Sequence, residues 1–287
     1  MTEENLQQTG GQPHGGYFSM VGAALGHALV MMLRRQRIIL AAVIVLLPVL
    51  IPLAVAFLSN KEFSEDGRKT FTMLAEQLHI NVLAPLLALF FATMLVGEDA
   101  ESQTIPYVLT RPMPRSAWLL GRFLAYLSVA ASVLLVSLIL TFAGCTSLDD
   151  LGFNAIHLKL LAHYAAVALA ALVGYGAVTV FLGATIKRPI VTGVVLLYGW
   201  QKLATTVPGV IDFFTIQKYT DALLPALAAQ QDNVEVRSAL LNFQKEVFLV
   251  SATRAGITLA VISLVFLVVT VWAVRWREYS AARAIGG

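Results

Sequence analysis

The sequence predicts an all-α membrane protein with about six transmembrane helices. Three observations carry this. Hydrophobic residues make up 58% of the chain and charged residues 13%, with a mean hydropathy of +0.76; the charged share is roughly half that of a soluble domain. Apolar runs of membrane length recur along the chain, and a spanning helix needs about 20 such residues. The polar segments between the runs carry arginines and lysines at the membrane ends. The single cysteine, Cys145, leaves no disulfide within these residues. The formal charge of +3 gives no sign of nucleic-acid binding.

Residues 1–16 are polar and glycine-rich, the composition of a disordered tail. No n-region and h-region order announces a cleavable signal peptide, so the first span is expected to serve as the targeting signal. Residues 17–37 place Phe18, Val21, Leu25, Leu29 and Met32 at helical spacing and close on Arg34, Arg35 and Arg37. That is the pattern of an amphipathic helix in the membrane interface, its basic end facing anionic lipid. A further spanning helix is the alternative. Gly22, Gly26, His27 and the lack of a following loop weigh against it.

The remainder, 38–287, reads as a six-helix transmembrane domain. Its spans fall at about 38–58, 80–97, 118–143, 160–186, 189–206 and 255–274. The first contains Pro48 and Pro52, which bilayer helices tolerate when neighbours satisfy the freed carbonyls. Residues 59–79 are expected to form a charged loop, with Glu76 and His79 as headgroup anchors before the second span. Ser116 is expected to cap the third span. Gly174, Gly176 and Gly183 in the fourth allow close helix contacts. Arg275, Trp276, Arg277 and Tyr279 make a basic, aromatic exit from the sixth. Between the fifth and sixth spans, 207–254 is either a set of short helices dipping back towards the bilayer or a folded external loop.

Applied to these loops, the positive-inside rule puts both termini, the 97–117 loop and the Lys187-Arg188 turn in the cytoplasm, within a multi-pass protein of the cytoplasmic membrane. With Arg122 included, that side carries 11 Lys and Arg against 6 Asp and Glu, and the other side 9 against 11.

The 97–117 loop has its own structure. Glu98, Asp99 and Glu101 precede a short helix over 104–109, where the helix dipole favours anions. Pro112 and Pro114 stop that helix. Tyr107, Leu109 and Arg111 would be its exposed side chains, an apolar knob beside a charge. Left to itself this reading has a plain rival, a solvated connection anchored at the headgroups.

The stretch L-V-G-E-D-A-E-S-Q-T-I-P-Y-V-L-T-R-P-M-P-R-S-A-W-L-L-G-R-F-L resembles the membrane subunits of type-2 ABC exporters. In that family an acidic end of the second span precedes a coupling helix, and a glycine followed by Lys or Arg opens the third span. Glu98, Thr104, Leu109, Arg111, Pro112, Arg115, Gly121 and Arg122 fill those places here. The resemblance implies a permease subunit of an ATP-driven exporter, paired with a second permease half as homodimer or heterodimer. It implies a separate ABC ATPase subunit that receives the coupling residues Glu98, Asp99, Glu101, Thr104, Tyr107, Leu109, Arg111, Pro112 and Arg115.

The chain has no G-x-x-x-x-G-K-[ST] loop, so no cofactor is expected on it and ATP would be bound by the partner. No H-E-x-x-H or G-x-S-x-G appears, and His14, His27, His79, His157 and His163 show no metal-binding spacing. No catalytic residue or metal ligand is expected. Two other functions stay open: a force-transmitting membrane component that acts on a periplasmic partner through 207–254, and an ion-coupled carrier. The second would need a charge at mid-membrane. The substrate is not legible.

Overall fold

The computed structural model describes residues 16–58, 66–93, 95, 114–148, 150–186, 188–206, 211–224, 233–238, 241–246 and 250–276, the two strands by backbone alone. The fold is helical. In chain order α1 is Tyr17–Met32, α2 Arg35–Leu58, α3 Gly67–Ala92, α4 Arg115–Cys145, α5 Ala155–Thr185, α6 residues 189–206, α7 Ile216–Ala222 and α8 Ala252–Trp276. One antiparallel hairpin interrupts the helices, β1 Asn233–Ser238 against β2 Leu241–Glu246, in register from Asn233–Glu246 to Ser238–Leu241. It occupies the segment between the fifth and sixth expected spans, together with a 3-10 turn at Ile211–Phe214 and α7.

Among the described residues, five helices are long and apolar enough to cross a membrane: α2, α3, α4, α5 and α8. The fifth expected span, α6, starts at Pro189 as anticipated, but its apolar stretch Pro189–Trp200 is shorter. The second span begins earlier than expected. Helix α3 starts at Gly67, because Asp66 accepts hydrogen bonds from the Arg68 and Lys69 amides at 2.8 and 3.1 Å and so caps it. Much of the expected 59–79 loop is therefore helix. The third span also starts differently. Pro114, in extended conformation, holds the N-cap position without a side-chain bond, and Ser116 lies inside the helix. The first element ends at Met32, and Arg35 and Arg37 belong to the opening turn of α2.

Helices α3, α4 and α5 form the centre. Against α4 lie α1 and then α2, their contacts climbing it in the same direction. Gly121 meets Val21 and Ala24, Ser137 meets Val45, and Gly144 meets Val49 and Pro52. Helix α8 packs along α5, with Gly174 seated against Leu259. The α4–α5 contact is fixed at mid-length by Tyr126. Its ring fills the space left by Gly176, and its hydroxyl donates to the Leu172 carbonyl at 2.9 Å. At the end where α4 leads into α5, Phe71, Phe142, Tyr164 and Phe153 stack edge to face at 5.1–5.8 Å.

Helix α3 is not uniformly wound. Leu74–Leu83 and Ala88–Ala92 take wide π turns, and α6 does the same over Val195–Trp200. Pro85 removes one amide from the ladder of α3, and the Tyr198 hydroxyl donates to the nearby Val82 carbonyl at 2.8 Å.

Candidate functional site

The 96–113 segment, which holds Glu98, Asp99, Glu101, Thr104, Tyr107, Leu109, Arg111 and Pro112, lies outside the described residues. Of the expected coupling residues only Arg115 is described, partly exposed in the first turn of α4. What the structure does place is the base on which the segment stands.

That base is a joint of four helices. Arg122, about two turns into α4, is 4% exposed. Its guanidinium donates to the Leu95 carbonyl at the end of the second span and lies 4.6 Å from the centre of the Trp118 ring. One side chain thus ties the chain entering the segment to the chain leaving it. The entering strand is gripped from a second side: a Cβ on Gly183 of α5 would sit 2.7 Å from the Thr93 carbonyl oxygen and 3.2 Å from its Cα. Thr93 itself turns its hydroxyl onto the Leu89 carbonyl. The leaving strand is gripped by α1, whose Val21 carbonyl and Ala24 side chain occupy the place a Gly121 side chain would take. Backbone-to-backbone contacts of this kind leave no side chain that could swing aside. A displacement of the segment must move α3, α4, α5 and α1 together.

The described residues contain no group of three or more His, Cys, Asp or Glu able to hold a metal ion. His157 Nδ1 lies 3.1 Å from the Gly152 amide nitrogen and 3.0 Å from its carbonyl oxygen, and His163 meets the Leu223 carbonyl at 2.8 Å.

A second polar constellation was not anticipated. His79 is fully buried inside α3 rather than anchored at a headgroup before the span. Its ring contacts the Leu74 carbonyl at 3.1 Å, Ser137 Oγ at 3.2 Å and Thr141 Oγ1 at 3.4 Å. Ser137 in turn donates to the Val45 carbonyl of α2 at 3.2 Å. Three membrane helices are knotted at this point. A signal for it exists in the sequence: Phe71, Ala75, His79, Leu83 and Leu87 recur every fourth residue and are all buried, so one stripe runs straight through the supposed loop.

A family model described as ABC-2 family transporter protein matches residues 30–199, over half of the chain. The chain belongs to that family. The matched residues run from the end of α1 to the short apolar helix α6 and include Thr93, Leu95, Gly121, Arg122 and Gly183 of the joint, while Val21 and Ala24 of α1 precede them. This ABC-2 transporter protein is accordingly a multi-pass membrane component, the permease part of an ABC transporter and not its ATPase. Its hairpin, α7 and α8 lie beyond the matched residues. No curated protein matches the chain.

Proposed function

We propose that this chain is the membrane-spanning subunit of an ATP-driven exporter in the cytoplasmic membrane, with both termini cytoplasmic and a second permease half beside it. A separate ABC ATPase seats the 96–113 segment, binding it through Tyr107, Leu109 and Arg111, with Glu98, Asp99, Glu101, Thr104, Pro112 and Arg115 shaping and fixing it. ATP stays on that partner. The observation that supports this reading best is the joint beneath the segment, where Arg122, Gly121 and Gly183 lock the two chain ends to four helices. A lever works only if its pivot is stiff.

The test is to co-purify the chain with its ATPase and reconstitute the complex. Arg111→Ala and Glu98→Ala are expected to lower the stimulation of ATP hydrolysis by the membrane subunit about tenfold, a coupling loss within the usual range. Unchanged stimulation and unchanged ATPase retention would remove the coupling role.

The β hairpin gives the force-transmitting reading its own support. A two-stranded sheet keeps two open edges, where an extended segment of an external partner can add a strand. Under that reading hydrolysis and coupling persist while no solute crosses the vesicle membrane.

A further inference from the structure

Where α1 breaks into α2, the helices do not close on each other. A cavity of about 350 Å³ opens there, lined by Met32 of α1, Leu33 just past its end, Arg37 and Ala41 of α2, Phe91 of α3 and Ser132 of α4, among others. That volume is within the range of built ligand sites. Its walls are apolar in practice. Ser128 and Ser132, the neutral polar residues among them, give their hydroxyls to the Leu124 and Ser128 carbonyls of their own helix at 2.8 and 2.7 Å. A polar solute would find nothing to bond along most of this surface, and a hydrocarbon chain would lose nothing by entering.

The rim is cationic. Arg37 lines the cavity and is held in place by a 3.0 Å bond from its guanidinium to the Met31 carbonyl at the end of α1. A guanidinium carries five donors in a planar fork, the shape that suits phosphate. Arg34 and Arg35 stand exposed two and three residues away, and no carboxylate is among the lining residues. Apolar walls and the Arg37 cation among them, with two further exposed arginines close by in the chain, select a molecule with an anionic head and a hydrocarbon tail. We infer that this cleft is a resident site for one anionic phospholipid, its phosphate at Arg37 with Arg34 and Arg35 around it, and an acyl chain laid between α1, α2 and α4. Because α1 and α2 both rest on α4, a lipid here splints the break between them.

The experiment is native mass spectrometry and thermal unfolding of the purified full chain in detergent. Phosphatidylglycerol or phosphatidylcholine is added after delipidation. One retained phosphatidylglycerol per chain and a raised unfolding temperature are expected, with phosphatidylcholine doing neither. The triple variant R34Q/R35Q/R37Q should weaken phosphatidylglycerol binding on the order of a hundredfold. R37K should restore part of it, which separates loss of charge from misfolding. Ala41→Phe, which fills the cleft and leaves every charge in place, should abolish retention. Equal retention of the neutral lipid overturns the proposal. So does normal retention by Ala41→Phe, since the arginines would then only be gathering lipid at the surface. A cleft closed by a second copy of the chain, shown by a Leu33→Cys cross-link between subunits, overturns it as well.

Discussion

Arg122 is the only lysine or arginine buried among the described side chains, and it bonds the Leu95 carbonyl and lies over the Trp118 ring. A charged donor on a buried carbonyl contributes about 1.5–3 kcal/mol, and a desolvated guanidinium over an indole about 2 kcal/mol more. Arg122→Met keeps the length of the side chain and removes both. The expected result is a loss of about 3–5 kcal/mol in reversible unfolding in mixed micelles, together with reduced stimulation of the partner ATPase. Arg122→Lys keeps the charge but not the fork, and should recover stability better than coupling. Loss of stability with coupling intact would make Arg122 purely structural. This residue was legible beforehand, because a lone arginine after a glycine in an apolar run stands out and matches the family pattern. His79 was not. Its neighbourhood holds Arg68, Lys69 and Glu76, and charge content outweighed the four-residue stripe that places it in the core.

At the level of the helix, the glycines decide what can touch. Gly183 faces backbone atoms of Thr93, so Gly183→Leu must push two helices apart. The cost expected is about 1–3 kcal/mol, the usual range for overpacking. Gly199, whose nearest neighbour is a Val195 methyl at 4.0 Å, provides the matched control: Gly199→Leu should change unfolding by a few tenths of a kcal/mol at most. Equal effects of the two would mean that the α5–Thr93 contact does not hold the joint. The close-packing role of the fourth span's glycines was readable from composition, and the structure puts Gly174, Gly176 and Gly183 against three different neighbours. Helix ends were harder to read. Asp66 starts α3 thirteen residues before the apolar run at Ile80, since capping is a local bond and hydropathy does not register it. Pro114 starts α4 through its fixed backbone geometry, one residue before the span's charged first turn and two before the serine expected to cap it.

For the whole molecule the open quantity is sidedness. Six crossings put both ends of the chain on one face; five would separate them, and the short apolar stretch of α6 is where the count turns. With Cys145→Ser as background, Thr9→Cys and Ser280→Cys are expected to react with a membrane-impermeant maleimide only from the cytoplasmic face, and Ser238→Cys in the hairpin only from the opposite one. Labelling of the hairpin and the N-terminal tail from the same face would overturn the six-crossing arrangement. The overall architecture was legible because hydrocarbon-length runs follow from bilayer thickness alone. The hairpin was not, since the side-chain pattern of 233–246 competes with apolar stretches that also suit short helices. The uneven winding of α3 carries a consequence for motion. A coil partly held in its fatter form keeps chain in reserve. Drawing Leu74–Leu83 into the ordinary pitch would lengthen and turn everything beyond it, Leu95 included, with each rung re-formed one residue over. Such a span can hand a stroke from one membrane face to the other while remaining a helix throughout.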